Sequence, residues 1–343
     1  MSVTDDPQAY IASIGTALPG DPVDNQDLAA RFGIDPDWIE VFIGTRTRHF
    51  AVDLDTGTPR QTLAELAALA GHRALAASGV DPDDIGFLVL GTATPDALMP
   101  ATVNLVADRL GLDHLPTYQL QSGCAGAVQA LDLGRTLVTG GGHKAGLVLG
   151  GDVCAKHLPL DQDFSRMPAS ELVNFVLFGD GAGAAVLTAE PTGARLALHR
   201  VLNLLTGLGR EPGQTVEWFG VADRTSDRQP IREDYKSIEQ AVPVMASETL
   251  WELLDAQGWS DDDLDFLLPP QLSARMTEKI VAHMDVPAAA EVSCVADTGN
   301  TSNALPFMQM ARLLDRIETG QKAIGVAIES SKWIKSGYAL EKV

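Results

Sequence analysis

The chain has 343 residues, 45% of them hydrophobic, with 46 acidic against 25 basic side chains and a formal net charge of −21. That length supports a large buried core and about two domains. The acid excess argues against nucleic acid as a partner, because phosphate contacts need clustered Lys and Arg.

No run of about 18 uninterrupted apolar residues occurs, so no membrane helix is expected. The opening MSVTDDPQAY lacks the basic-then-apolar order of a signal peptide, which makes a cytoplasmic location the expectation. The first strongly periodic stretch, LAELAALAGHRALAASG from Leu63, predicts a helix ending near a Gly. An acidic turn and a short apolar strand follow in VDPDDIGFLVLGT. Further on, SGCAGAVQALDLGRTLVTGGGHKAGLVLGGD predicts a small-residue turn, a long helix, a Gly turn with a Lys, and a buried strand. The runs FLVLG and GLVLGG lack polar alternation, as strands covered on both faces do.

The same order then returns. AVPVMASETLWELLDAQG followed by WSDDDLDFLLPPQ repeats the first unit, and TGNTSNALPFMQMARLLDRIETGQKAIGVAIESS repeats the second. Strands alternating with helices predict parallel pairing between helical layers. The chain reads as two similar α/β halves, residues 1–190 and 191–343, in one body with no flexible linker.

The duplication puts Cys124 and Asn300 at matching places, each opening a long helix. A helix N-terminus carries unpaired N–H groups and partial positive charge, so the Cys124 thiol is expected to ionise readily. Its N–H is also placed to stabilise an oxyanion. The bland alternative is a small buried hydrophobe, the reading given to Cys154 and Cys294. The three cysteines form no CxxC pair, so neither a metal site nor a disulfide framework is expected. GDGAG and TGGGH match no nucleotide-binding loop.

Four segments in order carry a family likeness: DPDWIEVFIGTRTRHF, SGCAGAVQAL, FGDGAGAAVL and DTGNTSNALP. Together they resemble the 3-oxoacyl-(acyl carrier protein) synthase III family, from about Ile11 to the last strand, with a poor match near 200–235. The resemblance implies a thiolase-like fold: duplicated α/β halves with mixed five-stranded sheets in a five-layer α-β-α-β-α sandwich. It implies an acyl-enzyme on Cys124, with Asn300 as the catalytic amide. Substrates would be thioesters of coenzyme A or of an acyl carrier protein, with no tightly bound cofactor. An acidic carrier protein would need a local basic patch on so acidic a chain.

The departures from the family pattern are as informative. The family histidine falls in LLPPQLSAR, where Pro270 stands and offers neither donor nor base. Losing one positioned donor costs about 3–4 kcal/mol in barrier, so decarboxylative condensation is not favoured. None of the seven histidines sits in a matching motif; His157, shortly after the GGDVCAK strand, could reach the site from elsewhere, but a surface or structural role is expected for it. The family's glycine-rich loop is replaced by Glu329-Ser330-Ser331-Lys332-Trp333, where Ser330 or Ser331 would add a donor and Lys332 reads as a solvated strand-end charge. Trp38 matches an adenine-stacking Trp, but Phe42 replaces the stacking Arg, which suggests a carrier-protein donor. Arg275 matches a carrier-docking Arg, and Met99 matches a residue lining the partner's acyl pocket, implying a homodimer. The leading expectation is acyl transfer to an O, N or C nucleophile in specialised metabolism. The alternatives are a decarboxylative ketosynthase and a non-catalytic partner subunit.

Overall fold

The computed structural model describes residues 8–158, 160, 164, 167–191, 193–217 and 231–343. The elements that position the site begin with β1 (Ala9–Ala17), α1 (Pro36–Phe42), α2 (Leu63–Ser78) and β2 (Ile85–Thr92). Next come α3 (Thr102–Leu110), β3 (Thr117–Gln121), α4 (Gly126–Thr139), β4 (Ala145–Asp152) and β5 (Gly181–Thr188). The later part holds β6 (Leu196–Leu205), α5 (Tyr235–Gln257), β7 (Phe266–Leu268), α6 (Ala274–Met284) and β8 (Ala290–Glu291). It ends with α7 (Leu305–Leu314), β9 (Lys322–Glu329) and β10 (Ile334–Lys342).

Strand order across the sheet is β8-β7-β9-β10-β6-β1-β5-β4-β2-β3. Read outward from the middle, each side repeats the same pattern: two antiparallel pairings, then two parallel ones. The two expected five-stranded sheets are therefore leaves of one ten-stranded sheet. They join through β1 and β6, which share only three register pairs, Ala9 to Ile11 against Leu196 to Leu198. So short a junction leaves the leaves free to wrap the central helices.

The layers follow from side-chain period. Phe87 and Val89 of β2 pack with α4, α7 and β9 residues in one central core, while Leu88 and Leu90 pack with α2 and α3. On the other leaf Ala323 and Ala327 face the central core, and Ile324, Val326 and Ile328 face α5 and α6. Helices thus lie outside each leaf and between them, the five-layer sandwich expected. Helix α2 is fixed by a Thr62–Glu65 capping box and stops at Gly79, whose φ of 69° is left-handed. Helix α5 begins at Tyr235, ahead of its apolar pattern, and stops at Gly258 with φ 66°. Close contact between layers needs bare backbone at Gly183: a Cβ there would lie 2.3 Å from Phe307 Cβ. No helix among the described residues is long and apolar enough to cross a membrane.

Candidate active site

Strand β3 ends at Gln121 and α4 starts at Gly126, so Cys124 lies in the tight turn between them, two residues ahead of the helix. The helix has no side-chain N-cap of its own. Its Ala127 N–H is satisfied instead by Asn303 Oδ1 at 2.8 Å, from the segment that opens α7. Asn303 Nδ2 donates to Ser122 O (3.1 Å) and to Asp152 Oδ2 (2.8 Å). The other oxygen of Asp152 accepts from Thr92 Oγ1, Ala93 N, Thr94 N and Thr94 Oγ1. This buried knot ties the Cys124 turn to the Asn300 segment. Sequence reading passed over both Asn303 and Asp152, although each belongs to a quoted motif.

Asn300 is 3% exposed, and its backbone pairs with Leu177 and Gly179 beside the GDGAG segment. Its Oδ1 accepts from Ser302 N at 2.9 Å, while its Nδ2 is left as an available donor. Cys124 and Asn300 line one cavity of about 30 Å³, together with Pro269, Pro270, Gln271, Ser302 and Gln309. About 10–15 Å³ is enough to admit a water molecule, so this space has room for a small polar group such as a carbonyl oxygen beside the thiol. Ser302, at φ 49°, holds its Oγ 4.0 Å from Cys124 Sγ. A non-glycine residue in that backbone region is costly and clusters at working sites.

Pro270, expected to stand in place of a family histidine, forms part of the cavity wall. The neighbouring polar side chains do not replace it. Gln271 Oε1 accepts from Cys294 N and Val295 N, and Gln309 Nε2 donates to Pro269 O and Val292 O.

The electrostatics reverse one expectation. Burial pushes the Cys124 thiol well above its usual range, and the Glu329, Asp152 and Glu233 charges add to it. Set two residues ahead of the helix and facing carboxylates, the thiol gains less from the helix dipole than it loses to desolvation and negative charge. Cys294 lies in the core. Cys154 is mostly buried on the turn after β4, and burial likewise raises its thiol. Glu329 is 1% exposed and is itself raised, first by burial.

The remaining predicted residues lie elsewhere. Trp38 and the exposed Phe42 pair at 6.2 Å on α1. Beside α1 is a surface depression lined by Gly44, Arg46, Arg275 and Glu278. Arg275 is exposed, bonded to Glu278 and to Glu40 O. Met99 is 87% exposed on the single chain, next to Leu98 at 72%. Ser331 N–H is committed to Glu329 Oε1 (2.7 Å), and Ser330 O accepts from Gly213 N. Lys332 Nζ donates to Arg210 O. Burial and the neighbouring Lys156 charge push His157 down to about 4, and its buried Nε2 has no partner among the described residues.

A thiol and an amide thus converge on one cavity from the two repeated α/β leaves. The profile of 3-oxoacyl-[acyl-carrier-protein] synthase III matches residues 118–201, and that of its C-terminal part matches 254–330. Beta-ketoacyl-[acyl-carrier-protein] synthase III of Neisseria meningitidis serogroup B is 31% identical over 86% of this chain and 87% of its own length. Synthase III 1 of Deinococcus radiodurans is 32% identical over 92% and 89%. The chain belongs to the 3-oxoacyl-(acyl carrier protein) synthase III family.

Among solved structures, AbyA1, a tetronic acid condensing enzyme, superposes with TM-score 0.94 at 56% identity, covering 97% of this chain and 99% of that one. The Pseudomonas aeruginosa synthase III superposes with TM-score 0.83 at 27% identity, covering 97% and 98%. The priming ketosynthase of the R1128 polyketide pathway gives 0.84 at 25%, covering 97% and 96%.

Proposed function

We propose that this protein is a condensing acyltransferase of specialised metabolism that works without decarboxylation. Cys124 takes an acyl group from a phosphopantetheine thioester, on an acyl carrier protein or coenzyme A, and releases the carrier thiol. Asn300 Nδ2 holds a carbonyl oxygen in the small cavity. The acyl group then passes to a second substrate, and Cys124 returns to the thiol. Splitting the transfer at a covalent intermediate lowers each barrier.

The observation that carries this reading is the composition of one cavity: Cys124 and Asn300 are present, and Pro270 fills the family histidine position. The likeness to a tetronic acid condensing enzyme supports it chemically. A tetronic acid is a five-membered lactone; closing it takes one carbon–carbon and one carbon–oxygen bond, and neither requires loss of carbon dioxide. A carbon acid flanked by two carbonyls, with a hydroxyl to close the ring, is the acceptor chemistry this implies. We further propose a cytoplasmic homodimer in which Met99 meets the partner, with carrier protein docking near Arg275 and Trp38.

Intact-mass measurement against a panel of acyl thioesters tests the proposal. An acyl adduct is expected on the wild type and absent from Cys124→Ala. Malonyl carrier protein added to the acylated enzyme should release no carbon dioxide. Release matching acyl loss would make the protein a decarboxylative ketosynthase, and no adduct with any donor would make it a non-catalytic subunit.

A further inference from the structure

The acyl transfer proposed above needs a group that takes a proton from each nucleophile, and Pro270 supplies none. Of the polar side chains lining the cavity, Gln271 and Gln309 each hold backbone groups, Asn300 offers only an amide donor, and the Ser302 hydroxyl, 4.0 Å from the Cys124 sulfur, is no base at neutral pH. Asp152 is saturated by hydrogen bonds to both of its oxygens. His157 is held neutral by burial, with its Nε2 enclosed.

Glu329 differs from all of these. It ends β9, where the family's loop is rich in glycine, and is 1% exposed. Its Oε1 is held by Ser331 N–H at 2.7 Å, which fixes the carboxyl plane. Among the described residues its buried Oε2 has no partner at hydrogen-bond geometry, although the Cys124 N–H and the Ser331 side chain are directed at the same carboxyl. That free oxygen lies against the turn bearing the nucleophile: a Cβ built on Gly123 would be 1.9 Å from it. Any side chain at 123 would displace the carboxyl, so glycine there makes room for Glu329. A buried carboxylate oxygen left without a close partner is costly and marks a candidate working group.

We propose that Glu329 is the general base of the site, standing in for the absent histidine. As Cys124 sulfur attacks the donor thioester, its proton passes to Glu329 Oε2. The tetrahedral adduct collapses by breaking the carrier C–S bond, and the leaving thiolate takes that proton. In the second half, Glu329 takes the proton of the incoming carbon or oxygen nucleophile as it attacks the Cys124 thioester. The Cys124 C–S bond breaks, and the proton returns to the Cys124 sulfur. Burial keeps the carboxyl raised and so a stronger base than an exposed glutamate.

The assignment rests on Cys124 being the acyl carrier, and the experiment separates the two. Acylation rates from a series of acetyl to octanoyl coenzyme A thioesters are read by intact mass, for wild type, Glu329→Gln and Glu329→Gly. Glu329→Gln keeps the shape and the Ser331 bond, so its melting temperature should stay with wild type while acylation slows by about 100-fold or more. Added formate should restore Glu329→Gly at least about tenfold and leave Glu329→Gln unchanged, which a purely structural role would not produce. A Glu329→Gln rate within about threefold of wild type overturns the base assignment alone. A wild type that never acquires an adduct overturns both readings.

Discussion

Replacing Asn303 by alanine removes a side chain that three buried or half-buried groups depend on. Ala127 N–H loses its 2.8 Å acceptor, Ser122 O loses a 3.1 Å donor, and Asp152 Oδ2 loses a 2.8 Å donor. A buried group left unpaired costs about 1–3 kcal/mol. Asp152 Oδ2 keeps the Asn303 backbone N–H, and Ser122 O is only partly buried, so the sum falls near the lower bounds, about 3–5 kcal/mol. For a chain of this length, each kcal/mol moves the melting point by about 2 °C. Asn303→Ala should therefore melt about 6–10 °C below wild type in differential scanning calorimetry. Asn303→Asp should melt lower still, because a second carboxylate would face Asp152 where an amide now donates. If Asn303→Ala melts within about 1 °C of wild type, the knot contributes nothing and this accounting is wrong.

Two further outcomes follow from buried titratable groups. Because burial and carboxylates raise the Cys124 thiol, iodoacetamide at pH 7.5 should label it at least about tenfold more slowly than free glutathione, with the rate climbing at higher pH; fast labelling at neutral pH would contradict the electrostatics. His157 is held neutral, down to about 4 against an ordinary 6.5, so its contribution to stability is full above pH 6.5 and lost as pH falls toward 4. His157→Gln should flatten the fall in melting temperature across that window, and an unchanged pH profile would remove His157 from the account.

Much of the architecture was legible in the chain. The repeated order of helix, acidic turn and strand, with Gly79 and Gly258 as left-handed stops, predicted the repeated strand order of the two leaves. Residue type and local sequence fix such features, because apolar period and turn chemistry act over a few residues. The meeting of Cys124 and Asn300 at one cavity was foreseen from the duplication.

Only the tertiary structure decided how acidic that thiol is and which polar groups around it are free. Both depend on burial and on charges brought together from distant positions: Glu329 lies 205 residues from Cys124 in the chain, yet its free oxygen rests on Gly123. In the sequence, Glu329 stands only as a missing glycine, and nothing marks Asn303 within DTGNTSNALP. Desolvation and hydrogen-bond saturation belong to packed space, and no local pattern of residues encodes them.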